Sequence, residues 1–255
     1  MMRSLRLGWV LLVLLGCVST DQQVVPVDEQ EVASRAIELG VAYLRQGDYT
    51  RAKDNLMKAL AIDEDSARAH NTLAIVFQQE REFELAERYF LRAISLDPAL
   101  IAARNNYGAF LYARARPAEA VTQLQIATED RFYERRAQAF ENLGVAYLAL
   151  ADQGLALAAF ERAAALNARL PRTLLELADL NFQQQDYPSA RDYFLRHKAL
   201  APDSARSLYL CAQIYTIFLA VRERDQCTAD LMRIFPASEG AKTLREGSPI
   251  EAHNE

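Results

Sequence analysis

Phe140-Glu141-Asn142-Leu143-Gly144-Val145-Ala146-Tyr147-Leu148, followed by Ala156, Phe160 and Ala163, is the stretch that decides the fold. Its small residue, Gly144, returns as Gly40, Ala74, Gly108, Ala178 and Ala212, and the six positions lie 34, 34, 36, 34 and 34 residues apart. A large apolar residue precedes each one. Further on come Ala52, Ala86, Ala120, Ala156 and Ala190, and then Leu56, Phe90, Leu124, Phe160 and Phe194. The apolar residues recur at i, i+3/i+4 and i+7 rather than alternating, so every segment reads as helix and none as strand. The sixth unit keeps register but carries Arg224 and Thr228 where the others have Ala and a large apolar residue.

A period of 34 with this pattern is the signature of the tetratricopeptide repeat. The expected fold is all-α, a right-handed superhelical solenoid of about six helix-turn-helix repeats, at 33–66, 67–100, 101–136, 137–170, 171–204 and 205–238. The spacing has a physical cause. Each small residue faces the Ala of its partner helix, which lets two backbones approach, and the large residue packs toward the next unit. Gly47-Asp48 and Gln185-Asp186 supply turns between helices. Pro98, Pro202 and Pro236 read as stops for second helices, because proline lacks the N–H and clashes with the preceding turn. The register slips once, by two residues, within Asp130-Arg131-Phe132-Tyr133-Glu134-Arg135-Arg136. That insertion either lengthens a connection or extends a helix end.

The amino terminus reads as an address. Arg3 and Arg6 precede an apolar run, Leu7 to Leu15, too short to span a bilayer stably. The run ends Leu14-Leu15-Gly16-Cys17, the pattern of a bacterial lipobox. Residues 1–16 are then a lipoprotein signal peptide and Cys17 the lipidation site, with 17–32 a lipidated, flexible, polar tether. Three acyl chains on one cysteine would make attachment effectively permanent. Val18 stands after the cysteine where an Asp would retain the protein at the inner membrane. The expected location is therefore the outer membrane, lipid-anchored and facing the periplasm. Residues 239–255 read as a polar carboxy-terminal tail.

A net charge of −5 gives no electrostatic case for nucleic acid. No Ser/His/Asp arrangement, phosphate loop or metal-ligand spacing is present in the sequence, so no catalytic residue, metal, cofactor or small-molecule substrate is expected. His70 and His197 read as exposed or half-packed helix residues. In an oxidising compartment Cys211 and Cys227 are a candidate disulfide across the sixth helix pair. The bond would contribute roughly 3 kcal/mol for a loop of about 16 residues. Two buried free thiols are the alternative.

Repeats of this kind curve so that first helices line a concave groove. Counting from the register, Ile37, Val41, Leu44, Ile75, Tyr112, Val145, Leu148 and Phe182 should point into it. Arg45, Asn71, Gln78, Asn105, Glu141 and Asp179 are interspersed. Such a mixed apolar groove suits an amphipathic helix or an extended peptide. The amino-terminal end, with Val41, Leu44 and Ile75, is the favoured binding end.

A lipobox, a tether and six such repeats together resemble the type IV pilus biogenesis lipoproteins of the PilF/PilW pilotin family. Val76-Phe77-Gln78, Asn105-Asn106-Tyr107-Gly108, Tyr133-Glu134-Arg135, Phe140-Glu141-Asn142-Leu143-Gly144 and Ala205-Arg206-Ser207-Leu208 carry the resemblance. It implies an outer-membrane scaffold that binds the secretin subunit of the type IV pilus, promotes its localisation and multimer assembly, and is needed for twitching motility. A lipoprotein adaptor for peptidoglycan enzymes or for outer-membrane protein assembly is the alternative.

Overall fold

The computed structural model describes residues 28–246. The expected signal peptide, Cys17 and most of the expected tether lie outside the described residues, as does 247–255. Six antiparallel helix pairs follow one another along the chain. They are α1 (Glu29–Arg45) with α2 (Tyr49–Ile62), α3 (Ala67–Gln79) with α4 (Phe83–Leu96), and α5 (Ile101–Ala113) with α6 (Pro117–Glu129). The remaining three are α7 (Arg136–Ala149) with α8 (Gln153–Leu166), α9 (Pro171–Gln183) with α10 (Tyr187–Lys198), and α11 (Ala205–Ile217) with α12 (Val221–Ile234). A short α13 (Glu239–Arg245) ends the described chain.

Close approach within a pair depends on the small residue. A Cβ placed on Gly40, Gly108 or Gly144 would sit 2.6, 2.5 or 2.7 Å from the side chain of Leu56, Leu124 or Phe160. These distances are shorter than van der Waals contact, so the partner helix occupies the space that glycine leaves. Ala52, Ala86, Ala120, Ala156 and Ala190 are fully buried beside them.

Each pair turns in the same way. The residue seven positions after the small one has positive φ: Gly47 (76°), Arg81 (65°), Ala115 (56°), Ala151 (59°), Gln185 (63°) and Leu219 (52°). The next N–H then donates back to the first helix, from Asp48 to Tyr43 and, in order, to Phe77, Leu111, Tyr147, Asn181 and Tyr215, at 2.9–3.0 Å. This is the left-handed cap that satisfies the last carbonyls of a helix. Asp48, Asp152 and Asp186 then cap the second helix by accepting from the N–H three residues on.

Successive odd-numbered helices touch, α1 with α3, α3 with α5, α5 with α7 and α9 with α11; no successive even-numbered pair makes comparable contact. The array therefore curves with its odd helices inside.

Several expectations change. Helix α1 begins at Glu29, inside the stretch read as tether, because the Asp28 carboxylate caps it through Gln30 and Glu31. Residues 239–245 are not a polar tail. Ala241 is fully buried, Leu244 packs toward α11 and α12, and the Ser238 hydroxyl caps the helix. The two-residue slip lengthens the α6–α7 connection to 130–135; α7 starts one residue earlier against the register than α3, α5, α9 and α11, and α6 stops one residue earlier than α2, α4 and α8. Helix α10 ends at Lys198, too early for Pro202 to be what stops it.

Candidate functional site: the inner groove

The inner wall is built from the odd helices, and its lining follows from the register. Val41 and Leu44 are half-buried and rest on a core of Ala36, Leu56 and Leu73. Ile75, Tyr112 and Leu148 rest in the same way on the central core around Phe90, Phe110 and Phe160. Phe182 is half-buried and meets Tyr187 edge-on, with ring centroids 5.4 Å apart.

Two expected lining residues do not reach the groove. Ile37 is 5% exposed and shares a cluster with Ala69 and Leu73 of α3, so the next repeat covers it. Val145 is 4% exposed and clusters with Leu177 and Leu180 of α9 for the same reason. Asn71, Asn105 and Glu141 are also unavailable to a client. Asn106 Nδ2 donates to Asn71 Oδ1, and Asn142 Nδ2 donates to Asn105 Oδ1, both at 3.1 Å. Glu141 Oε2 accepts from Thr173 N at 3.1 Å and Thr173 Oγ1 at 2.6 Å. Helix α9 has no side-chain cap of its own, and Glu141 of the preceding repeat provides one.

At the other end lies a feature the register contained but the degenerate sixth repeat obscured. Asp179, Phe182, Tyr187, Arg206, Tyr209 and Gln213 line a hollow of about 460 Å³ between α9 and α11. Arg206, Tyr209 and Gln213 lie six and three residues before Ala212 and one after it, so the spacing alone could have found them. The Arg206 guanidinium donates to both Glu176 oxygens at 2.7 Å and to Asp179 at 2.5 Å. The Glu176 carboxylate holds the Arg206 pKa above its ordinary value, with Asp179 adding to the effect. Glu176 is buried, and this fork is what compensates its charge.

The remaining groups singled out from sequence are divided between the layers, His70 and Cys211 on α3 and α11, His197 and Cys227 on α10 and α12. Cys211 and Cys227 are joined as a disulfide with Cα atoms 6.0 Å apart. His197 is buried rather than half-packed, at the position where other repeats have Ala59, Ala93, Ala127 and Ala163. Its Nδ1 lies 2.9 Å from the Pro171 carbonyl. His70 is half-buried, with Nε2 3.0 Å from the Glu64 carbonyl. Among the described residues no group of three His, Cys, Asp or Glu side chains is placed to hold a metal ion.

An all-α array with a continuous inner wall of this kind is a tetratricopeptide-repeat scaffold. Residues 37–101 and 152–205 match the tetratricopeptide repeat family model. The chain belongs to the PilF family of type IV pilus assembly proteins. It is 37% identical over 231 residues to the type IV pilus assembly protein PilF of Pseudomonas aeruginosa, covering 88% of this chain and 90% of that protein. The solved structure of Pseudomonas aeruginosa PilF superposes with a TM-score of 0.84 at 35% identity, over 86% of this chain and 98% of that one. The structure of PilW, a widely conserved type IV pilus biogenesis factor, gives 0.72 at 27% identity, over 84% and 99%.

Proposed function

We propose that this chain is a lipid-anchored outer-membrane scaffold of type IV pilus biogenesis that holds a secretin subunit in its inner groove. It promotes that subunit's outer-membrane localisation and multimer assembly. The identity to a pilus assembly protein along nine-tenths of that protein's length is the observation that carries the role in pilus biogenesis. The groove supports the holding mechanism. Half-buried apolar side chains at a regular spacing on a rigid wall offer little ordering cost to an incoming helix or extended strand. Acyl chains at Cys17 supply the membrane address, with the repeats on the periplasmic side. The chemistry asked of the protein is positioning, so no catalytic group is assigned.

The test is recovery of the acylated protein from solubilised outer membrane, with mass spectrometry of what accompanies it. The secretin should be the main partner and should be lost from a folded Val41→Glu/Leu44→Glu variant. A peptidoglycan hydrolase or barrel-assembly subunit in its place, with normal secretin multimers in a deletion strain, would overturn the assignment. Recovery of the protein from the inner membrane would overturn the proposed location.

A further inference from the structure

The connection 130–135 exposes a phenylalanine and holds it in place. Phe132 occupies the position of Pro98, Pro202 and Pro236 in other repeats and is 95% exposed, more than any other large apolar residue described. The loop beneath it is tied down. Phe132 N donates to Asp130 Oδ1 at 2.8 Å, Arg136 N to Tyr133 O at 3.0 Å, and Arg136 Nε to Thr128 O at 2.7 Å. Tyr133 is half-buried, with the Asn105 amide against its hydroxyl. A frayed loop would show none of these bonds.

A lone exposed apolar side chain is ordinary on a protein surface. What surrounds this one is not. Arg131, Arg135 and Arg136 make no ion pair among the described residues, and with Tyr133, Glu134 and Leu166 they line a hollow of about 370 Å³. Three guanidinium groups against two carboxylates, Asp130 and Glu134, the first of them turned back to the Phe132 N–H, make a basic spot on a chain of net charge −5. Three of the equivalent connections are acidic, with Asp63-Glu64-Asp65, Asp97 and Asp203, and the fourth, 167–170, carries only Arg169. An exposed aromatic beside unpaired arginines is the composition of an interface anchor. Free guanidiniums fit carboxylates with fork geometry.

The spot is continuous with the groove. Asn105, which backs Tyr133, is on the inner wall through its bond to Asn142. Gln138 also lines the hollow, six residues before Gly144, just as Arg206 lies six before Ala212 and lines the groove. We propose that the 130–136 loop is a second docking point for the groove's protein client, taking an acidic stretch of that client with an apolar side chain beside its carboxylates. This rests on the groove reading above. Phe132 takes the apolar side chain and Arg131 and Arg135 take the carboxylates.

The experiment places the photo-crosslinker benzoylphenylalanine at Phe132 and, separately, at Tyr112 of the groove, in the full-length protein in its own cells. Both positions should capture one polypeptide, with the Phe132 adduct on a peptide containing Asp or Glu next to the linked residue. Affinity for that polypeptide should fall about tenfold at low salt in Arg131→Ala/Arg135→Ala, with far less difference at high salt, since screening removes the same attraction. Capture at Tyr112 without capture at Phe132 would overturn the second docking point and leave the groove intact. Adducts of Phe132 with lipid, or with a protein Tyr112 never captures, would also overturn it. Silence at Tyr112 with capture at Phe132 would remove the groove reading and the shared client together.

Discussion

In the first five repeats the second helix sends Leu56, Phe90, Leu124, Phe160 or Phe194 into the gap left by its partner's small residue, and none of the five is more than 1% exposed. In the sixth the same position holds Thr228, half-buried, its hydroxyl turned back to the Arg224 carbonyl at 2.9 Å. The contact is made one residue earlier, by Cys227 bonded to Cys211. The two solutions act on different states. A large plug stabilises the native hairpin by removing apolar surface from water. A disulfide acts mainly by restricting the unfolded chain. The first five repeats should therefore respond to changes of volume and the sixth to changes of redox poise.

The largest effect should come from Phe160→Ala. An emptied, fully buried aromatic site costs about 4 kcal/mol, read as a lower denaturant midpoint. A loss under about 1 kcal/mol would show that the plug does not close its hairpin. Opening the disulfide with reductant, or with Cys211→Ala/Cys227→Ala, should cost about 3 kcal/mol. Hydrogen exchange should then rise in α11, α12 and α13 while α7 and α8 keep their protection. Equal loss along the array would erase the contrast between the two kinds of repeat.

Arg206→Ala comes next. It strands the Glu176 carboxylate, whose side chain is 9% exposed, while the guanidinium is itself 47% exposed and partly screened. The expected loss is about 2 kcal/mol, with Arg206→Lys restoring only part of it because an ammonium cannot fork across two oxygens. The turns give a smaller and opposite-signed pair. Leu219→Gly should stabilise by about 1 kcal/mol, and Gly47→Ala should destabilise by a similar amount, since both positions have positive φ. Thermal melts of the two variants moving in the same direction would discard that account.

The last prediction concerns acid. Asp48 is held below its ordinary value of 3.8 by the Arg51 N–H it caps, and Asp230 is held low by Arg233. A folded pKa below the unfolded one means these carboxylates stabilise the protein above about pH 4 and lose that contribution as pH falls further. Asp48→Asn should lower the neutral region of a stability–pH profile slightly and leave its acid end nearly unchanged, which flattens the acid limb.

How much of this was legible follows from which residues encode it. Six small residues at fixed intervals were enough for six helix pairs, because close approach demands a missing side chain at each crossing. The groove was readable as a face of a helix but not as a depth. Val41 and Val145 each follow the small residue by one, yet α9 buries the second and α3 leaves the first partly open. The turns hid in plain view. Only Gly47 announces a left-handed residue; Arg81, Ala115, Ala151, Gln185 and Leu219 adopt it because the returning N–H bond requires it. The cap of α9 by Glu141 joins residues 32 apart and leaves no local signal. The carboxy-terminal hollow was masked by Arg224 and Thr228, which mark the sixth repeat as degenerate although its first helix keeps the inner-wall pattern.

The polar bonds between odd helices have a mechanical consequence. Asn106 to Asn71, Asn142 to Asn105, Thr173 to Glu141 and Arg206 to Glu176 place one tie at every junction from the second repeat onward. Ties along the inside of a bent beam resist straightening and leave twisting of the outer layer free. The first junction is built differently. Its bond, Lys53 to Glu80 at 2.6 Å, runs from the outer helix α2 to the end of α3. Between α1 and α3 apolar packing of Ile37 against Ala69 and Leu73 holds the wall in place of a polar tie, and that span is the one that carries Val41, Leu44 and Ile75.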